Sequence, residues 1–186
     1  MEKVYVFLAD GFEEVEALSP VDLLRRAGVE VCMVSVTGNL TVKGSHGISV
    51  LADALFEETD FSDADYLMLP GGMPGTKNLG AHEGLCTLLK NAQAENKGIA
   101  AICAAPSVLG DLGLLEGKEA VCYPGFESRL RGAKVSGAYA VADGSLVTGK
   151  GMGAAVLFGL KLVEVLKGKD TADELKANIQ YPGDCE

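Results

Sequence analysis

Apolar residues in this chain fall into short unbroken runs, separated by longer stretches where they recur every three or four positions. KVYVFLA (3–9), VEVCMVSV (29–36), DYLMLP (65–70) and GIAAIC (98–103) are runs of the first kind. Runs of that length, apolar on both faces and rich in β-branched residues, predict buried strands. EVEALSPVDLLRRAG (14–28), GLCTLLKNAQAEN (84–96), SVLGDLGLL (107–115), GAAVLFGLKLVEVLKG (153–168) and TADELKANI (171–179) carry the helical period. Gly28 supplies a C-terminal stop for the first helix. TVKGSHGISV (41–50) reads as a glycine-punctuated hairpin, GGMPGTKN (71–78) as a loop, and KEAVCYP (118–124) and SLVTGKG (145–151) bracket a β-rich stretch.

Strands alternating with helices predict an α/β fold: a mainly parallel sheet covered by helices on both faces, with ligand sites at the carboxyl ends of strands. The 186 residues fit a single domain, 1–186, with no repeat and no break in composition. Net charge is −10, which excludes the basic footprint of a nucleic-acid-binding surface. The first residues turn acidic after a short apolar run, so they predict neither a signal peptide nor a membrane span. Five cysteines (Cys32, Cys86, Cys103, Cys122, Cys185) show no CxxC spacing. They indicate neither a disulfide framework nor a zinc site, and a reduced, cytoplasmic protein is expected.

Three segments that follow strands carry unusual chemistry. In ADGFEEVEALSP (9–20), Asp10 can cap the next turn with Glu13 as its box partner. Pro20 has no N–H for the carbonyl of Glu16, and Ser19 looks like a fresh cap, so the helix is expected to bend or restart there, leaving Glu16 near the sheet's edge. Taken alone, Glu13, Glu14 and Glu16 read first as a solvated helix start. LPGGMPG offers two glycines whose amides can approach a ligand, although taken alone the segment reads first as an ordinary tight turn. AICAAPSVLG runs from strand to helix through small residues, the geometry of a nucleophile elbow, with Cys103 at the turn. A helix N-terminus there would favour thiolate; the competing reading is an inert buried cysteine.

The two histidines, His46 in GSHG and His82 at the start of a helix, both precede Cys103 and read as exposed. Cysteine–histidine catalysis of the amidase or peptidase kind is therefore disfavoured. GSLVTGKG (144–151) lacks the Ser/Thr of a phosphate loop, no G-x-G-x-x-G follows the first strand, and no cluster has metal-ligand spacing. Neither cofactor nor metal is expected.

ADGFEEVEA with SPVDLLRRAG, LPGG, AAICAAPSVLG and the late TGKGMGAA, in this order over nearly the whole chain, resemble the DJ-1/PfpI (ThiJ) superfamily. The resemblance implies a flavodoxin-like sandwich of the class I glutamine amidotransferase kind, dimeric as a rule. It implies that Cys103 is the elbow cysteine, that Glu16 is a protonated glutamate bonded to its sulfur, and that the amides of Gly72 and Ala104 form an oxyanion pocket. It implies cofactor-independent glyoxalase or deglycase chemistry on a small electrophilic carbonyl. Alternatives are an oxidative-stress sensor or redox-regulated chaperone using the same cysteine and, with no phosphate-binding signal behind it, a thiazole (thiamine) biosynthesis role. Three departures stand out. Tyr123 occupies the place of the family's histidine before proline, Gly151-Met152-Gly153-Ala154 replaces a Gly-Pro-Gly-Thr segment, and His46 stands where relatives place an arginine that reaches the partner subunit's pocket. Tyr123 and His46 are auxiliary candidates on that ground.

Overall fold

Five apolar runs pair side by side to build the centre of the molecule. The computed structural model describes residues 2–182. Strand β1 (Lys3–Leu8) lies between β2 (Glu30–Ser35) and a later strand, and a hairpin of β3 (Thr41–Lys43) and β4 (Ser49–Leu51) follows β2. Then come β5 (Ala54–Leu55), β6 (Tyr66–Leu69), β7 (Gly98–Ile102), the small parallel pair β8 (Glu119–Ala120) and β9 (Lys134–Val135), and the antiparallel pair β10 (Ala140–Asp143) and β11 (Leu146–Gly149). The seven-stranded sheet has the order β10-β11-β7-β6-β1-β2-β5, parallel everywhere except at β10.

Alternation along each strand divides the core. Val4, Val6 and Leu8, with Met68, Ile102 and Val147, face helices α1 (Glu14–Arg26), α5 (Ala155–Lys167) and α6 (Lys169–Asn178). Tyr5 and Phe7, with Leu67, Leu69 and Ala101, face α2 (Gly75–Ala81), α3 (Glu83–Ala94) and α4 (Pro106–Asp111). Both faces of the sheet are thus covered, which is why its strands are apolar throughout.

Three local expectations are corrected. Helix α1 is not restarted at Pro20: it runs unbroken from Glu14 to Arg26, with Pro20 buried inside it. Ala17, Val21 and Leu24 pack in one cluster with Phe158 and Leu162 of α5, and that burial outweighs the hydrogen bond lost at the Glu16 carbonyl. Asp10 does not cap α1. It accepts the Lys43 amide at 2.9 Å, while Glu13 is the N-cap and takes the Glu16 amide at 2.7 Å. The segment 71–78 is a loop only to Pro74, because α2 begins at Gly75. Cys185 lies outside the described residues. No helix among the described residues is long and apolar enough to cross a membrane.

Candidate active site

Four neighbouring strands, β11, β7, β6 and β1, end at the same rim of the sheet, and the segments leaving them meet there. Cys103 is the first residue beyond β7. Its amide still continues the ladder, donating to the Gly149 carbonyl at 2.9 Å, while its carbonyl accepts the Tyr123 amide at 2.8 Å. Held from both sides, Cys103 adopts φ 64°, the left-handed region that a residue with a Cβ avoids at a cost of about 1–2 kcal/mol. The turn swings the half-buried thiol out of the strand's pleat toward the segments that follow β6 and β1.

From β6 come Gly71 and Gly72. Gly72 has φ 90°, and a Cβ there would overlap the Glu13 amide nitrogen, so glycine alone fits. A Cβ on Gly71 would overlap both Glu16 Oε2 and Cys103 Cβ, which shows how closely the three are packed. From β1 comes the start of α1. Glu16 is 1% exposed, with Oε2 accepting the Gly71 amide at 3.0 Å and its carboxyl in hydrogen-bond contact with Cys103. The reading of these glutamates as a solvated helix start is therefore overturned for Glu14 and Glu16, both of which are buried.

Burial, together with the charge of Glu13, pushes the Glu16 carboxyl up to about 7, against the hydrogen bonds from Cys103 and Gly71. Burial likewise pushes the Cys103 thiol up, to about 12, with the charge of ionised Glu16 and its hydrogen bond adding to the effect. The amides of Gly72 and Ala104 work the other way, because both are aimed at the sulfur. This corrects the expectation of a thiol lowered by a helix N-terminus. Helix α4 has only six residues and starts at Pro106, three positions beyond the sulfur, whereas the carboxylate is in contact. The two groups form one unit that holds a single proton between its two titration steps. Glu16 protonated beside a thiolate, with two amides on the sulfur, is one of its two arrangements. The other is a thiol beside a carboxylate that the Gly71 amide supports.

Tyr123 and His46 are placed differently. Tyr123 is bonded to Cys103 through its backbone, and its exposed ring lies over Gly151, whose Cβ position is 3.2 Å from Tyr123 Cδ2 and 4.0 Å from Glu16 Oε1. His46 contacts Glu14 rather than the sulfur: Nδ1 lies 2.9 Å from Glu14 Oε2 and 3.7 Å from Glu13 Oε1, and the His46 amide donates to Glu14 Oε1 at 2.8 Å. The donor atoms of Glu13, Glu14 and His46 all fall within 4.8 Å of one another, a ligand-like cluster that local spacing does not suggest because His46 lies 32 positions beyond Glu14. His82 is not a free surface residue: Nδ1 accepts the Leu85 amide at 3.1 Å to cap α3, and the ring packs edge-on against Phe56.

A buried carboxyl in hydrogen-bond contact with a thiol, with backbone amides aimed at the sulfur, at the carboxyl edge of a helix-covered parallel sheet, defines a cysteine-elbow α/β protein. The sequence model of the DJ-1/PfpI family matches residues 2–165, and the chain belongs to that family. The chain is 38% identical over 98% of its length to protein DJ-1 homolog B of Arabidopsis thaliana, and spans 43% of that relative. A Pyrococcus abyssi protein named as a deglycase is 32% identical, over 89% of this chain and 99% of that one. The structure of oxidised Toxoplasma gondii DJ-1 superposes with a TM-score of 0.93 at 39% identity, covering 97% of this chain and 99% of that one.

Proposed function

We propose that this protein is a cofactor-independent enzyme in which Cys103 attacks a small reactive carbonyl, in the manner of a glyoxalase or deglycase. The observation that carries the reading is the contact of the buried Glu16 carboxyl with Cys103, with the Gly72 and Ala104 amides on the sulfur. The name of the Pyrococcus relative supports the same class of reaction.

With methylglyoxal the steps balance without an external oxidant. The thiolate adds to the aldehyde carbon, the carbonyl π pair moves to oxygen, and that oxygen takes the proton held by Glu16, giving a hemithioacetal. Amides placed for an anion steady the oxygen as it gains charge. Glu16, now a carboxylate, takes the C1 proton and leaves an enediolate charged on the C2 oxygen; the proton of the C1 hydroxyl passes to that oxygen, and Glu16 returns its proton to C2, giving a lactoyl thioester. Water hydrolyses the thioester, releases lactate and restores the thiol. A carboxyl poised near 7 suits both the giving and the taking of a proton at neutral pH.

Purified protein with no added cofactor is expected to convert methylglyoxal to lactate, and Cys103→Ser to abolish the conversion. Absence of turnover, or turnover that survives the substitution, overturns the reading.

A second reading rests on the same two amides, which would also hold an oxidised, anionic sulfinate. An oxidised form is known for the Toxoplasma relative. Mild peroxide is then expected to add two oxygens selectively to Cys103, read by peptide mass spectrometry; uniform oxidation of all the cysteines contradicts a sensor role. The protein is further proposed to be a cytoplasmic homodimer. The hairpin that carries His46 leaves Ile48 and Leu51 exposed, in keeping with a contact surface, and sedimentation is the test.

A further inference from the structure

A cavity of about 420 Å³ opens beside the reactive pair, and its walls are side chains that the chemistry above does not use. Tyr123, Pro124, Tyr139, Lys150, Gly151 and Met152 are among its lining residues. Its nearest approach to the site is at Gly151, where a Cβ would lie 3.2 Å from Tyr123 Cδ2 and 4.0 Å from Glu16 Oε1. A carbonyl held at Cys103 with its substituent turned toward Gly151 would meet the Tyr123 ring. A three-carbon oxoaldehyde would leave most of this space empty.

The lining has a definite chemistry. Tyr123, Tyr139 and Met152 are 51%, 65% and 54% exposed, three large apolar surfaces around one trough. Among the described residues, Lys150 is the only charged one in the lining. Its amide donates to the Tyr139 carbonyl at 2.9 Å, and its Nζ lies 5.2 Å from the centre of the Tyr139 ring. Among the described residues no carboxylate forms an ion pair with it, although the chain carries a net charge of −10. A lone cation leaning on an exposed ring, without an acidic partner, is available to an incoming anion. The same charge opposes carbonyl adducts carried on protonated lysine or arginine side chains.

The geometry points to an aryl subsite tipped with an anion-binding group: Tyr123, Tyr139 and Met152 take the flat substituent of an arylglyoxal, and Lys150 takes a carboxylate at its far end. This rests on the reading of Cys103 as the nucleophile, and it adds the class of substrate: aromatic α-oxoaldehydes, preferably anionic. The reaction balances as before, an arylglyoxal and water giving the corresponding mandelate.

The test compares methylglyoxal, phenylglyoxal and 4-carboxyphenylglyoxal as substrates of the wild type, and measures binding of the two aryl compounds to Cys103→Ser protein by calorimetry. Phenylglyoxal is expected to exceed methylglyoxal in kcat/KM by about tenfold, the scale of an aryl group leaving water. The carboxylate is expected to add about fivefold, the scale of one partly solvated ion pair. Lys150→Met should bring the ratio of the carboxylated to the plain aryl substrate to about one, Lys150→Arg should retain it, and Tyr139→Ala should lower the aryl-over-methyl ratio; the same order is expected for binding to the Cys103→Ser protein. Melting curves for each variant show that it folds. If Cys103 is not the nucleophile, turnover fails while the Lys150-dependent binding persists. If the subsite is wrong, the three substrates are used alike in wild type and Lys150→Met. Absence of aryl binding, with Tyr139→Ala converting a dimer to a monomer, would assign the trough to a second copy and overturn the inference.

Discussion

Replacing Glu16 by glutamine separates two things that the carboxyl does to the sulfur. The amide keeps the size of the side chain, and its oxygen can still accept from Gly71, but it carries neither charge nor a transferable proton. A carboxylate about 4 Å from a thiolate at an effective dielectric near 20 costs about 4 kcal/mol. Solvent reaches the half-buried thiol and reduces that to about 3–4 kcal/mol, or about two to three pH units. Beside a neutral group the thiol would thus ionise well below where it does next to ionised Glu16. A minority of the wild-type molecules that hold one proton on the pair therefore carry the thiolate with the proton on Glu16.

That fraction stays constant while the pair holds one proton. Alkylation of wild-type Cys103 by iodoacetamide, followed peptide by peptide, is therefore expected to be nearly flat between about pH 8 and about pH 11. Alkylation of Glu16→Gln should climb tenfold per pH unit through the same interval and overtake wild type toward its upper end. Turnover of methylglyoxal should move the other way, falling by about 10²–10⁴ because the general acid is gone. A wild-type rate that climbs tenfold per pH unit through the same interval refutes the shared proton. A Glu16→Gln enzyme that keeps its turnover refutes the acid role.

The remaining predictions concern the scaffold and the pH dependence. Wild-type activity should rise as pH passes about 7, where the pair loses its first proton and the reactive one-proton state forms; a profile flat from about pH 5 to about pH 9 contradicts this. Burial works to raise Glu14, but hydrogen bonds from the His46 ring and from the His46 and Ile48 amides outweigh it and hold the carboxyl below its usual range. Its contribution to stability is then present above about pH 4.3 and lost as pH falls through the lowered midpoint. The hydrogen bond and charge of Glu14 raise His46, so the histidine's contribution is present below about pH 6.5 and lost as pH rises through its raised midpoint. Urea midpoints against pH should show both slopes in wild type and neither in Glu14→Gln. Gly71→Ala puts a methyl group into Glu16 and Cys103, so a loss of about 1–3 kcal/mol in urea unfolding is expected together with impaired alkylation. Cys103→Gly relieves the left-handed turn and should be about 1 kcal/mol more stable than Cys103→Ala; equal midpoints would mean that the turn is unstrained.

How much of this is legible along the chain depends on the range of the interactions involved. The central strands could be read because each is buried on both faces and needs no partner's identity to be apolar. The segment of helix α2 has the pattern of a loop because it is dense in glycine and proline and buries little beyond Gly75, Thr76 and Leu79. Strand β5, two residues at the sheet's edge, has no periodicity to find. Cys103 stood out because an apolar run stops on it, but the direction of its ionisation could not be read locally. That depends on a carboxyl 87 positions earlier, and resemblance to a family, not the pattern around Glu16, singled that carboxyl out.

The start of α1 shows the same limit within four residues. Glu13, Glu14 and Glu16 look interchangeable as acids near a helix N-terminus, yet each has a separate task. Glu13 caps the helix, Glu14 ties down the turn that carries His46, and Glu16 meets the sulfur. At about 100° of rotation per residue, Glu14 and Glu16 point in nearly opposite directions from the helix. One therefore faces the hairpin that follows β2, and the other faces the rim where β6 and β7 end. Burying both acids is tolerable only because each finds donors there, the amides of His46 and Ile48 for Glu14 and the Gly71 amide with the thiol for Glu16. Of the two, only Glu16 is left short of donors, and that deficit keeps a proton near neutrality at the place where a carbonyl would need it.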